Sequence, residues 1–416
     1  MDTYKYLIIG GGMAGERAAE GIRKADPDGN IALVAGESHL PYDRPPLSKG
    51  YLVGKADLDK VHLRPADFYV EKNITVIQGV RATALDPTAR QVTLADGQVL
   101  GYEKLLLATG GTARQLSIPG ADLPGVFTLR TLDDSQAIRA AAQPGKQALV
   151  VGGSFIGAEA AAALAERDLA VTVVFPGARL LEKVLPEELG AWLHAMYTER
   201  GVRFLTGRKP ACLEGGDRVE RAVLDDGTEL AVDLVVAGIG ITLDTALARA
   251  AGLAMDERGA VLVDEFLRTS DPHIYAAGDI ANWPDPTFGK RLRVEHWDVA
   301  RRQGRRAGGN MAGEAKPYTN VPYFYSDLFG YALEAWGDLS AWEQTVQRGK
   351  PDDEHFFLFY FNQGRLTGVL VGNPTKDERK LMPKLVRTRG AYEELAARFA
   401  DEQIGLETLG EVTSSK

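Results

Sequence analysis

The sequence predicts an α/β protein that carries the same βαβ unit twice and ends in an α+β domain. Three observations predict it. Residues 4–15, Tyr-Lys-Tyr-Leu-Ile-Ile-Gly-Gly-Gly-Met-Ala-Gly, are echoed by residues 146–157, Lys-Gln-Ala-Leu-Val-Val-Gly-Gly-Ser-Phe-Ile-Gly. In each copy a short apolar run meets a glycine turn, an Ala-rich helix follows, and a second apolar run comes after the helix. From about Tyr318 the glycine clusters stop and aromatic residues crowd together, which marks a domain of another kind.

Taken in order, the first copy predicts a helix over Glu16–Lys24 and a strand over Ile31–Ala35. Strand-like runs follow at Thr75–Gln78 and Arg90–Leu94, the latter just before Asp96-Gly97, a two-residue hairpin signal. The second copy predicts a helix over Ala158–Glu166 and a strand over Val171–Phe175. Val202–Leu205, Arg221–Leu224 with Asp226-Gly227, and Leu234–Ala237 continue the strand series. Asp271-Pro-His-Ile-Tyr-Ala-Ala-Gly-Asp279 reads as a strand closing on a glycine and an acid. In the last domain Phe356–Phe361 and Leu366–Val371 alternate around Asn362-Gln-Gly-Arg365 as a hairpin, and Lys376–Arg387 reads as a charged helix.

Composition bounds the function. A chain of 416 residues exceeds one hydrophobic core, so two or three domains are expected. A net charge of −9 argues against nucleic acid as the main partner, since phosphate backbones attract basic surfaces. Cys212 is the single cysteine, so an internal disulfide and a redox-active dithiol are both excluded. The histidines His39, His62, His194, His273 and His355 show no metal-ligand spacing, and no metal site is expected. No signal peptide and no apolar run of ~18 residues is visible, so the expectation is a cytoplasmic protein with no transmembrane segment.

The glycine turns carry the chemistry. In Gly10, Gly12 and Gly15 the first glycine permits the sharp turn, the second a close approach of backbone to a pyrophosphate, and the third close packing of helix on strand. The helix N-terminus then presents N–H groups and partial positive charge to the phosphates. The second turn has Gly152, Gly153, Ser154 and Gly157, a looser match in which a packing turn is the alternative. Two strand–glycine–helix–strand units of this kind are Rossmann-like dinucleotide-binding folds. An acid ending the second strand binds a ribose hydroxyl, and a base there suits a 2′-phosphate. Glu37 stands near that place in the first copy; the second has no acid and is followed by Arg179 and Lys183, which leaves NADH against NADPH open.

Further motifs add a resemblance. Pro41-Tyr-Asp-Arg-Pro-Pro-Leu-Ser-Lys49 resembles the signature of ferredoxin-reductase-like flavoproteins that serve oxygenase systems. Val294-Glu-His-Trp-Asp-Val-Ala300, Gly304-Arg-Arg-Ala-Gly-Gly-Asn-Met311, Phe175-Pro with Lys183-Val-Leu-Pro186, and Phe324-Tyr-Ser-Asp-Leu328 are similar to the apoptosis-inducing-factor family. The resemblance implies a glutathione-reductase-like architecture. Residues 1–112 and 245–318 would form an FAD-binding domain, 113–244 an inserted NAD(P)-binding domain, and 319–416 a C-terminal α+β interface domain.

It also implies a site. FAD would be held by Gly10, Gly12, Met13, Ala14, Gly15, Glu37, Arg44, Val80, Ala108, Thr109, Gly110, Arg130, Gly278 and Asp279. Asp279 would take the ribityl hydroxyls, a strand cap being the alternative, and Arg44 and Arg130 the flavin phosphate or ring. The nicotinamide dinucleotide would meet Gly152, Gly153, Phe155, Ile156, Gly157, Phe175, Arg179, Lys183 and Gly240. Lys49 would reach the N5 edge of the flavin, paired with Glu159, to stabilise negative charge gained on reduction. Glu295, His296 and Trp297 would lie where nicotinamide meets flavin, with Tyr325 where a tryptophan usually faces the ring. Two further departures stand out: Gly36 occupies the usual FAD-ribose acid position, and Gly177 replaces the acid that recognises NAD ribose.

The expected reaction is hydride transfer from NAD(P)H, with NADH favoured, to FAD, and from there to a separate iron–sulfur protein, since this chain has no cluster cysteines. An acidic ferredoxin would dock on Arg301-Arg302 with Arg305-Arg306, or on Lys376, Arg379, Lys380, Lys384 and Arg387, unless these are solvated helix faces. The alternative is a slow NADH oxidase or redox sensor working through a stable flavin–nicotinamide charge-transfer complex. On either reading a monomer or a homodimer is expected.

Overall fold

The computed structural model describes residues 1–411, which fall into two compact units. The first contains residues 1–43, 58–112 and 242–322; the second contains 44–57, 113–241 and the described residues from 323 onward. Four helices matter below: α1 (Met13–Ala25), α2 (Phe155–Ala165), α3 (Trp297–Met311) and α4 (Lys376–Thr388).

The first unit is built on a seven-stranded sheet. Ile74–Ile77, Ile31–Val34, Asp2–Ile9, Val99–Leu107 and Ile274–Ala276 run parallel, and the hairpin Ala82–Asp86/Gln91–Leu94 adds antiparallel strands at one edge. Leu7, Ile8, Leu33, Leu105, Leu106 and Ile274 are buried. Such unbroken apolar runs are what a parallel sheet covered on both faces requires. α1 and α3 pack together on this sheet. The strand expected to close on Asp279 ends at Ala276, because Gly278 turns the chain with φ +81°. It pairs with Val99–Leu107 in the register Ala276 to Leu107, so residues some 170 apart in sequence share one sheet edge.

The second unit holds a five-stranded parallel sheet in the order Arg203–Thr206, Ala170–Phe175, Gln147–Val151, Leu234–Ala237, Val126–Thr128. It also holds a five-stranded antiparallel sheet, Tyr323–Leu328, Tyr331–Gly337, Arg365–Gly372, His355–Asn362, Gln344–Lys350. The hairpin expected around Asn362 forms, with Gln363 and Gly364 both at positive φ as a tight turn demands. Thr375 and Glu378 make a reciprocal capping box that starts α4. Buried Leu164, Leu189, Leu193, Leu333, Phe356 and Leu358 belong to one apolar cluster of this unit.

Both glycine-turn helices begin three residues earlier than expected, at Met13 and Phe155. The N-terminal turn of each helix is therefore formed by the glycine motif itself.

Candidate active site

The first turn shows why glycine is needed. Gly10 has φ +126°, and a Cβ there would collide with the Ala108 carbonyl. Gly152 repeats this with φ +129° against the Gly238 carbonyl. Gly12 caps α1 and Ser154 caps α2 without a side-chain hydrogen bond to the helix, so the N-terminal N–H groups of both helices are left to a ligand. Beyond a Cβ placed on Gly12 there is open space for 4 Å. These two cradles fit dinucleotide pyrophosphates.

Around the first cradle, Met13 and Ala14 are buried in the first helical turn. Val80 N–H donates to the Ala35 carbonyl at 3.3 Å, and Gly79 N–H to the Glu37 carbonyl at 3.0 Å. Glu37 accepts from Tyr42 Oη at 2.5 Å, beside an exposed Gly36. Thr109 Oγ1 donates to the Asp244 carbonyl at 2.5 Å, and Asp244 N–H to the Gly110 carbonyl at 3.0 Å. Gly278 N–H donates to Gln303 Oε1 at 2.9 Å, and Asp279 beside it is buried. His296 caps α3, its ring accepting from the Asp298 N–H at 3.4 Å. Glu295 pairs with Arg293 at 2.5 Å, and the Arg301 guanidinium lies over the Trp297 ring at 5.2 Å.

Directly after Gly15, Glu16 is completely buried. Arg17 Nε lies 3.2 Å and Arg64 Nε 3.6 Å from its carboxylate oxygens. Burial pushes its carboxyl up to about 7, the pull of Arg17 notwithstanding. Burial also raises Glu20, but hydrogen bonds from Arg64 and Arg17 outweigh that and bring it down to about 2.

In the second unit the residues after the Pro45–Ser48 turn meet α2. Lys49 Nζ stands 2.7 Å from Glu159 Oε2. Glu159 is 4% exposed, so this is a desolvated pair and not a surface one. Two serines complete the carboxylate: Ser48 Oγ donates to Oε2 at 2.5 Å and Ser326 Oγ to Oε1 at 2.7 Å. Lys49 Nζ also lies 5.6 Å from the centre of the Tyr325 ring. Tyr325 stacks on Tyr323, whose hydroxyl donates to Glu334 at 2.9 Å, and Arg379 of α4 closes on the same Glu334. A line of contacts thus runs from α4 to Lys49. Arg44 donates to the Arg130 carbonyl at 2.5 Å. Phe155 meets Phe324 edge-on at 5.1 Å, while Ile156 is exposed.

Gly153 lies against the Phe175 ring, and Gly157 against the Gly152 carbonyl. Gly240 has φ +96°, and its carbonyl accepts from Arg114 N–H at 3.0 Å. Arg179 pairs with Glu187 at 3.2 Å, and Lys183 is exposed. Sequence reasoning passed over Ser48, Ser326 and Glu16. The two serines sat one residue from Lys49 and Tyr325 inside motifs already quoted, but nothing in a sequence marks a hydroxyl as aimed at one carboxylate. Cys212 sits on the strand Pro210–Glu214, where burial and the Glu214 carboxylate push its thiol up, away from thiolate chemistry. Among the described residues no group of histidine, cysteine and acids is arranged to hold a metal. Among the described residues no helix is long and apolar enough to cross a membrane.

Two dinucleotide cradles in one chain, with a desolvated lysine–glutamate pair at the second, define a nucleotide-dependent oxidoreductase that works through a flavin and NAD(H). The chain belongs to the pyridine nucleotide-disulphide oxidoreductase family, which it matches over residues 4–304, and residues 323–410 match a reductase C-terminal domain. It is 35% identical to the anthranilate 1,2-dioxygenase system ferredoxin–NAD(+) reductase component of Burkholderia cepacia, covering 98% of this chain and 100% of that one. It is 34% identical to putidaredoxin reductase of Pseudomonas putida over 87% of each chain. The solved covalent putidaredoxin reductase–putidaredoxin complex superposes with a TM-score of 0.93 at 31% identity, covering 100% of this chain and 99% of that one.

Proposed function

We propose that this protein takes a hydride from NADH onto FAD and passes the electrons singly to a small iron–sulfur protein of the ferredoxin type. The observation that carries the reading is the pair of glycine cradles in one chain whose single cysteine lies far along the sequence from both. FAD, when bound, would accept the hydride with its two electrons and release those electrons one at a time. The first cradle, with Met13, Ala14, Glu37, Val80, Ala108, Thr109 and Asp279, holds FAD; the second orients NADH. Lys49 supplies a cation at the flavin N5 edge, and Glu159 keeps that ammonium in place. Glu295, His296 and Trp297 of the first unit are assigned to the nicotinamide and flavin rings, as are Tyr325, Arg44 and Arg130 of the second. The domain limits are those of the sequence reading, 1–112 with 245–318, 113–244, and 319–416.

For docking, the groove lined by Lys24, Arg301, Arg302, Arg305, Arg306 and Lys316 is favoured over α4. Arg301 and Arg302 share the one carboxylate of Asp298, Arg306 and Lys316 share that of Glu314, and Arg305 reaches Glu20, so cations still outnumber acids there. On α4, Arg379 is consumed by Glu334 and Lys380 by Asp377. Positive charge held locally on an acidic chain steers an acidic partner.

The test is stopped-flow mixing of the yellow holoprotein with NADH, then with ferredoxin and cytochrome c. Rapid flavin bleaching and ferredoxin-dependent cytochrome reduction are expected. A long-lived absorbance beyond the flavin bands, with poor reduction even when ferredoxin is present, would replace this reading with the redox-sensor one.

A further inference from the structure

In the second βαβ unit the strand Ala170–Phe175 runs into Pro176 and Gly177, and no acid stands at its end. That is the place where a carboxylate meets a ribose 2′-hydroxyl. The fold fills it from elsewhere. A Cβ built on Gly177 would fall within 2.7 Å of both carboxylate oxygens of Glu182. The head group of Glu182 therefore occupies the space that an acidic side chain at 177 would start from. The loop is fixed in two ways: Glu182 Oε2 accepts the Ala178 N–H at 2.8 Å, and Leu181 N–H donates to the Gly153 carbonyl at 2.9 Å. The second bond ties the residue next to Glu182 directly to the glycine turn. Leu181 takes φ +54° to make this return possible.

We propose that Glu182 is the acid that accepts the 2′-hydroxyl of the adenosine ribose, and so is the residue that selects NADH over NADPH. The inference rests on the reading that this unit binds a nicotinamide dinucleotide. A carboxylate has about four acceptor sites, so the Ala178 bond leaves capacity for a hydroxyl. A 2′-phosphate would meet the same carboxylate as a like charge. Of the basic residues of the loop, Arg179 is turned to Glu187 at 3.2 Å, and exposed Lys183 is the competing contact for a 2′-phosphate that the NADP+ arm of the test reads.

Titration calorimetry of the holoprotein with NAD+ and NADP+, beside kcat/KM for NADH and NADPH with ferricyanide as acceptor, tests this. Glu182 is exposed, so its variants should fold as the parent does. Glu182→Ala is expected to lower the NADH:NADPH ratio by about tenfold, the scale of one charge-assisted hydrogen bond, in binding and in kcat/KM alike. The exchange Gly177→Glu with Glu182→Gly should restore it by returning the acid to the strand end. An unchanged ratio in Glu182→Ala, or an exchange variant that stays as unselective as Glu182→Ala, overturns the assignment to Glu182 while leaving dinucleotide binding intact. Wild-type protein that binds neither dinucleotide overturns the underlying reading, and this inference with it.

Discussion

Glu16 offers a test of how burial sets a charge state. Its carboxyl lies at 0% exposure beneath the first glycine turn, faced by Arg17 and Glu20 of α1, Arg64 of the following segment, Tyr69, and Arg305 of α3. Burial raises its pKa from 4.5 to about 7. The folded state therefore holds the proton more tightly than the unfolded chain. Between pH 4.5 and 7 the native protein binds more protons, so stability falls as pH rises through that window and levels off above it. A shift of this size corresponds to a cost on the order of 3 kcal/mol above pH 8, taking 1.36 kcal/mol per pKa unit. Glu16→Gln removes the ionisation. The variant should match the wild type near pH 4 and be more stable at pH 8.5, by up to a few kcal/mol, in guanidinium unfolding followed across pH. Parallel stability curves for the two proteins at every pH would refute the argument. A variant less stable at pH 8.5 than at pH 4, relative to wild type, would show that the Arg17 and Arg64 attractions outweigh burial.

Three more outcomes are expected. Lys49→Ala should slow flavin reduction by NADH in stopped flow while the purified protein stays yellow; unchanged kinetics would remove Lys49 from the proposed site. Ser326→Ala deletes one donor to Glu159, so the limiting reduction rate should drop by about fivefold, on the ~1 kcal/mol scale of one hydrogen bond. In a Glu159→Gln background the same substitution should add little, and additive effects in that double-mutant cycle would mean the serine acts independently. Arg302→Glu with Arg305→Glu should raise KM for ferredoxin, flatten its salt dependence and leave ferricyanide reduction by NADH unchanged; an unaltered ferredoxin KM would move the docking surface elsewhere.

Local sequence determined much of this protein. The spacing of Gly10, Gly12 and Gly15, and its echo at Gly152–Gly157, specified two turns whose backbone angles and close approaches only glycine tolerates. Apolar runs on both sides of Asn362-Gln-Gly-Arg365 likewise specified the hairpin there, although both strands are buried along their length and do not alternate. These are legible because they depend on neighbours within a dozen residues. What tertiary structure decided is which distant groups converge on one atom. Ser48 and Ser326, 278 positions apart, share Glu159 because α2 passes between the Pro45–Ser48 turn and the strand Tyr323–Leu328. Glu182 reaches the space beside Gly177 because the intervening loop folds back to hydrogen-bond Gly153. Glu16 reads in sequence as an ordinary acid in the first turn of a helix, and only the packing of Tyr69, Arg64 and α3 around it removes the water that would have kept its charge unperturbed. Residue type and spacing can declare a turn or a period; desolvation and convergence are properties of the folded chain, because they depend on what the rest of the polypeptide displaces.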